Sequence, residues 1–530
     1  MSAVSNLKQS VGLRAAVIAA AFVIAFPAGT IGVSGYNTAK PAYVSSPDAS
    51  ITFKALINSG EVPFGADVFE GIPDGIGVVP GPGRHPSYVD LYVAHEQSHV
   101  PFGLTPTTVY ADYQDSSVSR VRVDLASMSI TQLDDSALPA SAGFIRFCSA
   151  FMAGPEQGFP HYTFLVNEES NDLIPVPAGA PYGSDPSAAP RRQAGYSAYL
   201  DTRTGKFEIL ASAGRMNHEN LVVVPGWKHG IHALTGDDTF TSTSSPIRPN
   251  LSAMYMLSAK NANKFLKDDG TLYAFRVTAT NAGPVNPADP LNNANDFFEI
   301  NTGNTWQGEF IAVRDDVAAG TTGDLPQDAL EDWSTANNIF QFIRVEDIAY
   351  DPDNPRVVYF ADTGNTRLLE DANGHLYRAP SGTPGTSSSL GRIFKMVLNQ
   401  ADPHKVDAFS VVVDASTIGM RNPDNVAISH NSLMVQEDTS EAKIWQHSLD
   451  GGSWTHIATA VQPEAETSGI TDVSRWFGPG WWALDVQSHV NESLIDVYHT
   501  WTDGPTPPGG NQYRFHREDG QLLLMHVPGS

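Results

Sequence analysis

Short apolar, β-prone runs recur along the chain between segments rich in Gly, Pro, Asn, Asp and Ser, and long stretches with apolar residues at helical spacing are scarce. This pattern predicts an all-β protein. Several runs end in acidic or amide residues: Leu91-Tyr-Val-Ala-His-Glu96, Tyr162-Thr-Phe-Leu-Val-Asn-Glu-Glu169, Ile231-His-Ala-Leu-Thr-Gly-Asp-Asp238, Val357-Val-Tyr-Phe-Ala-Asp-Thr363, Ser432-Leu-Met-Val-Gln-Glu-Asp438 and Trp481-Trp-Ala-Leu-Asp-Val-Gln487. In a β-propeller the innermost strand of each blade borders the central channel, so strands that end alike deliver those ends to one mouth. The runs are therefore read as inner strands, and a β-propeller of about six blades is expected. Their spacing is irregular and no WD-type or kelch-type repeat is present, so the blades diverge and carry long insertions. Pro175 to Arg192 and Asn281 to Asn304, rich in Pro, Gly, Ala and Asn, are read as such surface insertions.

A chain of 530 residues suggests several domains by length alone, but closed all-β architectures add each blade to one continuous core. One propeller domain over 37–530 is expected, preceded by a secretory signal or N-terminal anchor over 1–36. Lys8 and Arg14 supply the positive start, Ala15 to Phe26 the short apolar stretch, and Pro27, Ala28 and Gly29 its end. The expected location is thus periplasmic or extracellular. Against 58 Asp and Glu stand 32 Lys and Arg, and the formal charge of −26 repels nucleic-acid phosphates and anionic lipid. The partner expected is a small molecule, with no nucleic acid, no membrane contact beyond an N-terminal anchor, and a monomeric protein. Asn491-Glu-Ser matches a glycosylation sequon.

Carboxylates gathered at one mouth raise one another's pKa, and a bound cation resolves the conflict. Oxygen ligands suit calcium, whereas a nearby thiolate suits a softer or redox-active metal such as iron. Cys148 is the single cysteine, so no intramolecular disulfide exists; it is either a small buried apolar residue or a metal-binding or catalytic thiol. Asn422-Pro-Asp-Asn425 and Leu433 to Asp438 read as a channel-facing loop and strand that offer Asp424, Glu437 and Asp438 to a cation. Arg344 and Glu346 are two apart and share a strand face; the pair is either an ordinary surface ion pair or a carboxylate on a metal beside a guanidinium on a substrate oxyanion. His95-Glu96 and His218-Glu219 lack the second histidine of an H-E-x-x-H zinc site, and structural histidines are the default. No G-x-S-x-G elbow, Walker loop or strand-linked G-x-G-x-x-G occurs.

Taken in order, Arg146-Phe-Cys-Ser-Ala150, Asn167-Glu-Glu169, Gly214-Arg-Met-Asn-His-Glu219, Arg344-Val-Glu346 and Pro423-Asp-Asn425 resemble the marker segments of the PhoX-type alkaline phosphatases, over roughly residues 90 to 440. Here N-E-E-S stands for the family's C-E-E-N and R-V-E-D for its R-P-E-G, and no arginine pair precedes the apolar leader, so the chain reads as a divergent member. The resemblance implies a β-propeller that hydrolyses phosphate monoesters at a centre of ferric iron and calcium. It implies Cys148 as the iron ligand, Glu168 as the metal-bridging carboxylate, Glu346 and Asp424 as calcium-side ligands, and Arg344 on the phosphate oxygens. Glu169, Glu96, His218, Glu219, Glu437 and Asp438 are the further metal-binding or supporting candidates. Two other readings compete: a calcium-dependent hydrolase of phytase-like or lactonase-like type, and a calcium-stabilised propeller that binds a partner without catalysis.

Overall fold

The structure, a computed structural model, describes residues 35–97, 110–111, 115–180, 182–239, 252–286, 296–370, 376–378, 384–498 and 512–530, with backbone alone for 110–111, 377–378, 490–498 and 512–517. The expected leader lies outside the described residues but for positions 35 and 36, as do the side chains of the Asn491 sequon.

Antiparallel strands with side chains alternating between two faces fill the chain, so each sheet can bury both faces against its neighbours. The strands Pro73–Pro80, Phe147–Ala153, His218–Val223, Val345–Asp351, Pro423–Ile428 and Ala465–Asp472 pack on one another in that order, and the last packs back on the first, enclosing a channel. The protein is an all-β propeller. From each inner strand the chain returns in an antiparallel second strand: Tyr88–His95, Thr163–Glu168, Ile231–Asp237, Asn354–Asp362, Ser432–Glu437 and Trp481–Tyr498.

The acidic-ended runs of the sequence are these second strands, which corrects their reading as inner ones. Second strands lie between two neighbours and between two apolar layers, so they are rich in branched and aromatic residues. The inner strands border the channel, and the first of them lies close against its neighbour. A Cβ on Gly75 would stand 2.2 Å from the Ala150 backbone nitrogen, and one on Gly77 2.7 Å from the Phe164 ring, so the first two inner strands approach as closely as they do only because both positions are glycine.

Apolar layers between the sheets hold the ring together. The largest contains Phe275, Phe340, Phe342, Phe360, Phe394 and Phe409, with ring centroids 4.6–6.0 Å apart where the rings meet. Closure comes from the N-terminal side: Thr52–Asn58 forms the outer strand of the sheet built by Ala465–Asp472, Trp481–Tyr498 and Gln512–His526. Gly35–Ser530 is one compact unit.

The two loop segments differ from their sequence reading. Leu173–Pro175 pairs with Arg191–Gln193, so Pro175 to Arg192 is largely the loop of a small hairpin, and Tyr182 and Arg192 within it are buried. Asn281 to Asn304 lies partly outside the described residues, but its Phe297 and Ile300 enter the aromatic layer. There Asp296 is buried, its Oδ1 accepting the Phe298 N–H at 3.0 Å while Oδ2 has no hydrogen-bond partner. Burial pushes its pKa up to about 7 against the opposing pull of that N–H. The native state thus holds a proton that the unfolded chain releases near pH 4, so this residue's contribution to stability falls as pH rises from about 4 to about 7. Asp296→Asn, which mimics the neutral acid, is expected to raise stability at pH 8 by about 3 kcal/mol and to change it little at pH 4, measured by the unfolding midpoint at both pH values.

Candidate metal centre

Sheet register decides which side chains meet. The first residue of each inner strand pairs with the last residue of its second strand in five blades, Pro73 with His95, Phe147 with Glu168, His218 with Asp237, Val345 with Asp362 and Pro423 with Glu437, and Ala465 pairs with Ser488 inside the longer strand of the sixth. One step outward, the N–H groups of Glu96, Glu169, Asp238, Thr363, Asp438 and His489 donate to the carbonyls of Ile72, Arg146, Asn217, Arg344, Asn422 and Glu464 at 2.8–3.2 Å. The same geometry is therefore repeated around the ring.

Side chains on adjacent strand residues point to opposite faces, so this register sorts them. The second residue of every inner strand faces the mouth: Asp74, Cys148, Glu219, Glu346, Asp424 and Glu466 line one cavity of about 380 Å³. An outer ring of Glu96, Glu169, Asp438 and His489 lines it as well, with Arg146 and Arg344. A β-bulge follows directly after the first pair in the strands that begin at Pro73, Phe147, His218, Val345 and Pro423. Ile72, Arg146, Asn422 and Glu464, just before an inner strand, have left-handed backbone with φ of 45° to 50°. Bulges and strained φ values gather where a fold must re-aim side chains, and here they ring the mouth.

Cys148 Sγ lies 3.5 Å from Asp74 Oδ2 and 3.6 Å from Glu219 Oε2. Cys148, Glu169 and Glu219 can bring ligand atoms within 4.8 Å of one another, and so can Glu219, Glu346 and Asp424. Glu219 belongs to both groups. Arg344 is clamped by Asp238, with Nε and Nη2 at 2.6 and 2.7 Å from the two carboxylate oxygens, and its Nη1 faces Asp438 at 4.0 Å. Arg146 binds the Glu169 carbonyl at 3.1 Å and Asp172 at 3.0 Å.

Burial raises the pKa of most acids that line this cavity, and neighbouring carboxylates add to it. Asp74 is pushed up to about 6 by burial, and Glu96 to about 7 by burial and then by Asp74. Burial drives Glu169, Glu219 and Asp424 well above the carboxylate range, with Glu219 adding to Glu169 and Asp424 and Asp238 adding to Glu219, and it drives Glu346 up despite Arg344. Burial, then Asp74 and Glu219, likewise lifts the Cys148 thiol. Asp74 Oδ1 and Asp424 Oδ1 are buried without a hydrogen-bond partner, as are both oxygens of the deeper Asp485. Glu346 Oε1 lies 3.2 Å from Arg344 Nη2 but without hydrogen-bond alignment. Crowded, unpaired acceptors of this kind fit cations, whose charge reverses these shifts. The thiol-containing group suits a softer or redox-active ion, and the all-carboxylate group a hard ion such as calcium.

Of the residues singled out from sequence, the mouth gathers Cys148, Glu346, Asp424, Arg344, Glu169, Glu96, Glu219 and Asp438. Glu168, His218 and Glu437 lie elsewhere. Glu168 Oε1 accepts the Ile145 N–H at 3.0 Å and Arg192 at 2.5 Å, and Oε2 accepts Arg192 at 2.8 Å and the Tyr196 N–H at 3.0 Å; both side chains are fully buried. Its lone pairs are spent, and the adjacent Glu169, on the opposite face, takes the place at the mouth. Glu437 accepts the Arg421 N–H at 2.9 Å and the Trp445 indole at 2.8 Å, leaving the mouth to Asp438. Glu168, Asp362 and Glu437 share one task, each accepting an N–H two residues ahead of an inner strand, from Ile145, Ile343 and Arg421. His218 hydrogen-bonds Thr235 at 3.0 Å and the Gly214 carbonyl at 3.1 Å, and burial lowers its pKa to about 4, so it is a neutral structural histidine. Asp74, Glu466 and His489 were not foreseen, and Arg146 and Asp238 stood in the quoted segments without a role at the site; the signal that finds them is their fixed position relative to each inner strand.

A β-propeller with a thiol and carboxylates converging at one channel mouth offers a site whose donor set fits metal ions. The family described as "Alkaline phosphatase PhoX" matches residues 190–473, more than half of the chain, and the chain belongs to that family of phosphoric monoester hydrolases. The solved structure of Pseudomonas fluorescens PhoX in complex with vanadate, a transition state analogue, is similar at 15% identity and a TM-score of 0.57, covering 93% of this chain and 98% of that one. Saccharomyces cerevisiae Sqt1 (8% identity, TM-score 0.24, 87% and 98% covered) and Trypanosoma rangeli sialidase in complex with sialic acid (8%, 0.22, 91% and 59%) match only distantly. No curated protein matches the chain.

Proposed function

We propose that the protein releases phosphate from small phosphate monoesters at this mouth, with ferric iron held on the Cys148 side and calcium on the side of Glu346 and Asp424. The observation that carries this reading is the pair of three-residue ligand groups joined through Glu219, one with a thiol and one without. Iron and calcium bound there would neutralise the phosphate dianion and polarise its P–O bonds. Arg344 docks the phosphate oxygens with a guanidinium plane fixed by Asp238. The buried walls exclude water from the reacting phosphorus except along the mouth. The expected leader over 1–36, and the acidic charge of the whole, support an exported protein that acts as a single propeller domain over 37–530, as a monomer. Among the described residues no helix is long and apolar enough to cross a membrane.

The test is phosphate release from a simple phosphomonoester by protein purified without chelators, comparing the native chain with Cys148→Ala at equal calcium. Turnover by the native chain with loss of both iron and turnover in the variant is the expected result. Folded, calcium-loaded native protein that releases no phosphate would refute the reading.

A further inference from the structure

In the outer ring, the position held by Glu96, Glu169, Asp238 and Asp438 is occupied in the last sheet by a histidine, and the Glu464 carbonyl fixes His489 there by the backbone hydrogen bond the others make. Its Nδ1 is 2.7 Å from Glu518 Oε2, so the Nδ1–H donates to that carboxylate and sets the ring's orientation. Nε2 is 3.6 Å from Glu466 Oε1, beyond hydrogen-bond length, and His489 lines the cavity. A carboxylate stands at each ring nitrogen, Glu518 at Nδ1 and Glu466 at Nε2, and the pair favours the imidazolium with hydrogen on both.

The depth of the groups orders the site. Cys148, Glu219 and Glu346 are buried, whereas the His489 side chain is 41% exposed at the rim. A monoester that enters phosphate first places its phosphorus among the buried ligands and its ester oxygen and alcohol portion at the rim. The other rim group, Asp438, is also 41% exposed and, as a carboxylate, repels the charge that develops on that oxygen.

We propose that His489 Nε2–H hydrogen-bonds the bridging ester oxygen of the substrate while the P–O bond breaks. The inference rests on the phosphate-monoester reading above. As that bond breaks its electron pair stays on the ester oxygen, a water oxygen takes its place on phosphorus, and a proton from that water, passed through solvent, completes the alcohol. His489 is unchanged at the end of the cycle; it spreads the negative charge of the leaving oxygen in the transition state. The benefit grows with the basicity of that oxygen.

Native protein and His489→Ala are to be compared on p-nitrophenyl phosphate, whose leaving oxygen is weakly basic, and on an alkyl phosphate such as glycerol phosphate. The expected loss in kcat/KM is about a hundredfold on the alkyl ester and less than about tenfold on the aryl ester, with metal content and melting temperature unchanged. Equal losses on both esters, or none, overturn the proposal. If His489→Ala does not fold, Glu518→Gln replaces it: a smaller loss confined to the alkyl ester supports the inference and a uniform one overturns it. Native protein that hydrolyses neither ester overturns the phosphatase reading itself, whereas native turnover of both with uniform losses overturns only the role of His489.

Discussion

Glu219→Gln is expected to lower phosphate-monoester hydrolysis by at least about a thousandfold, because the several kcal/mol that bound cations contribute to the transition state are lost together. No other residue belongs to both ligand groups. Without metal, burial and then Asp238, Asp74 and Asp347 drive the Glu219 pKa up, so the folded protein must take up a proton there that a glutamine does not need. Chelated Glu219→Gln is therefore expected to melt higher than the chelated native protein, while added calcium and iron raise its melting temperature less. A structural role for Glu219 gives the opposite result, with the chelated variant melting lower. Melting curves with and without chelator, beside steady-state rates and metal analysis, separate the two.

Glu168→Ala is expected to cost about 3–5 kcal/mol of stability and to leave the metal content of the surviving folded protein unchanged. The change strands the guanidinium of Arg192, which is fully buried and takes both carboxylate oxygens of Glu168. It also leaves the Ile145 and Tyr196 N–H groups without their acceptor. Denaturant unfolding together with metal analysis checks both halves. Loss of iron at unchanged stability would instead make Glu168 the bridging ligand that the family resemblance implies.

The case of Glu168 shows where the sequence is readable and where it stops. Acidic ends on β-prone runs pointed to a propeller with a charged mouth, and the lone Cys148 in its R-F-C-S-A setting pointed to a metal site. One residue of parity separates Glu168 from Glu169 and Glu437 from Asp438, and parity follows from register, which depends on pairing with a strand far along the chain. The bulges after Phe147 and Pro423 shift it again. Asp74 and Glu466 stayed hidden for another reason. Their strands read Pro-Asp-Gly-Ile-Gly-Val-Val-Pro and Ala-Glu-Thr-Ser-Gly-Ile-Thr-Asp, without the longer apolar run that marks the second strands. His489 was invisible because nothing local distinguishes it from a surface histidine; only the repeated hydrogen bond to the residue ahead of the inner strand places it.

Thr52–Asn58, made early in synthesis, pairs with Gln512–His526, which is made after every other strand described. Asp74 and His489 stand on the two sides of that seam, so a nascent chain already carrying Cys148, Glu219 and Glu346 still lacks part of the rim. A chain cut before residue 512 leaves an unpaired sheet edge in place of a closed ring, and the cations of the proposed centre would be bound only after translation. The unclosed intermediate is the form most exposed to aggregation and proteolysis, and the proposed centre would need its cations where the finished chain closes.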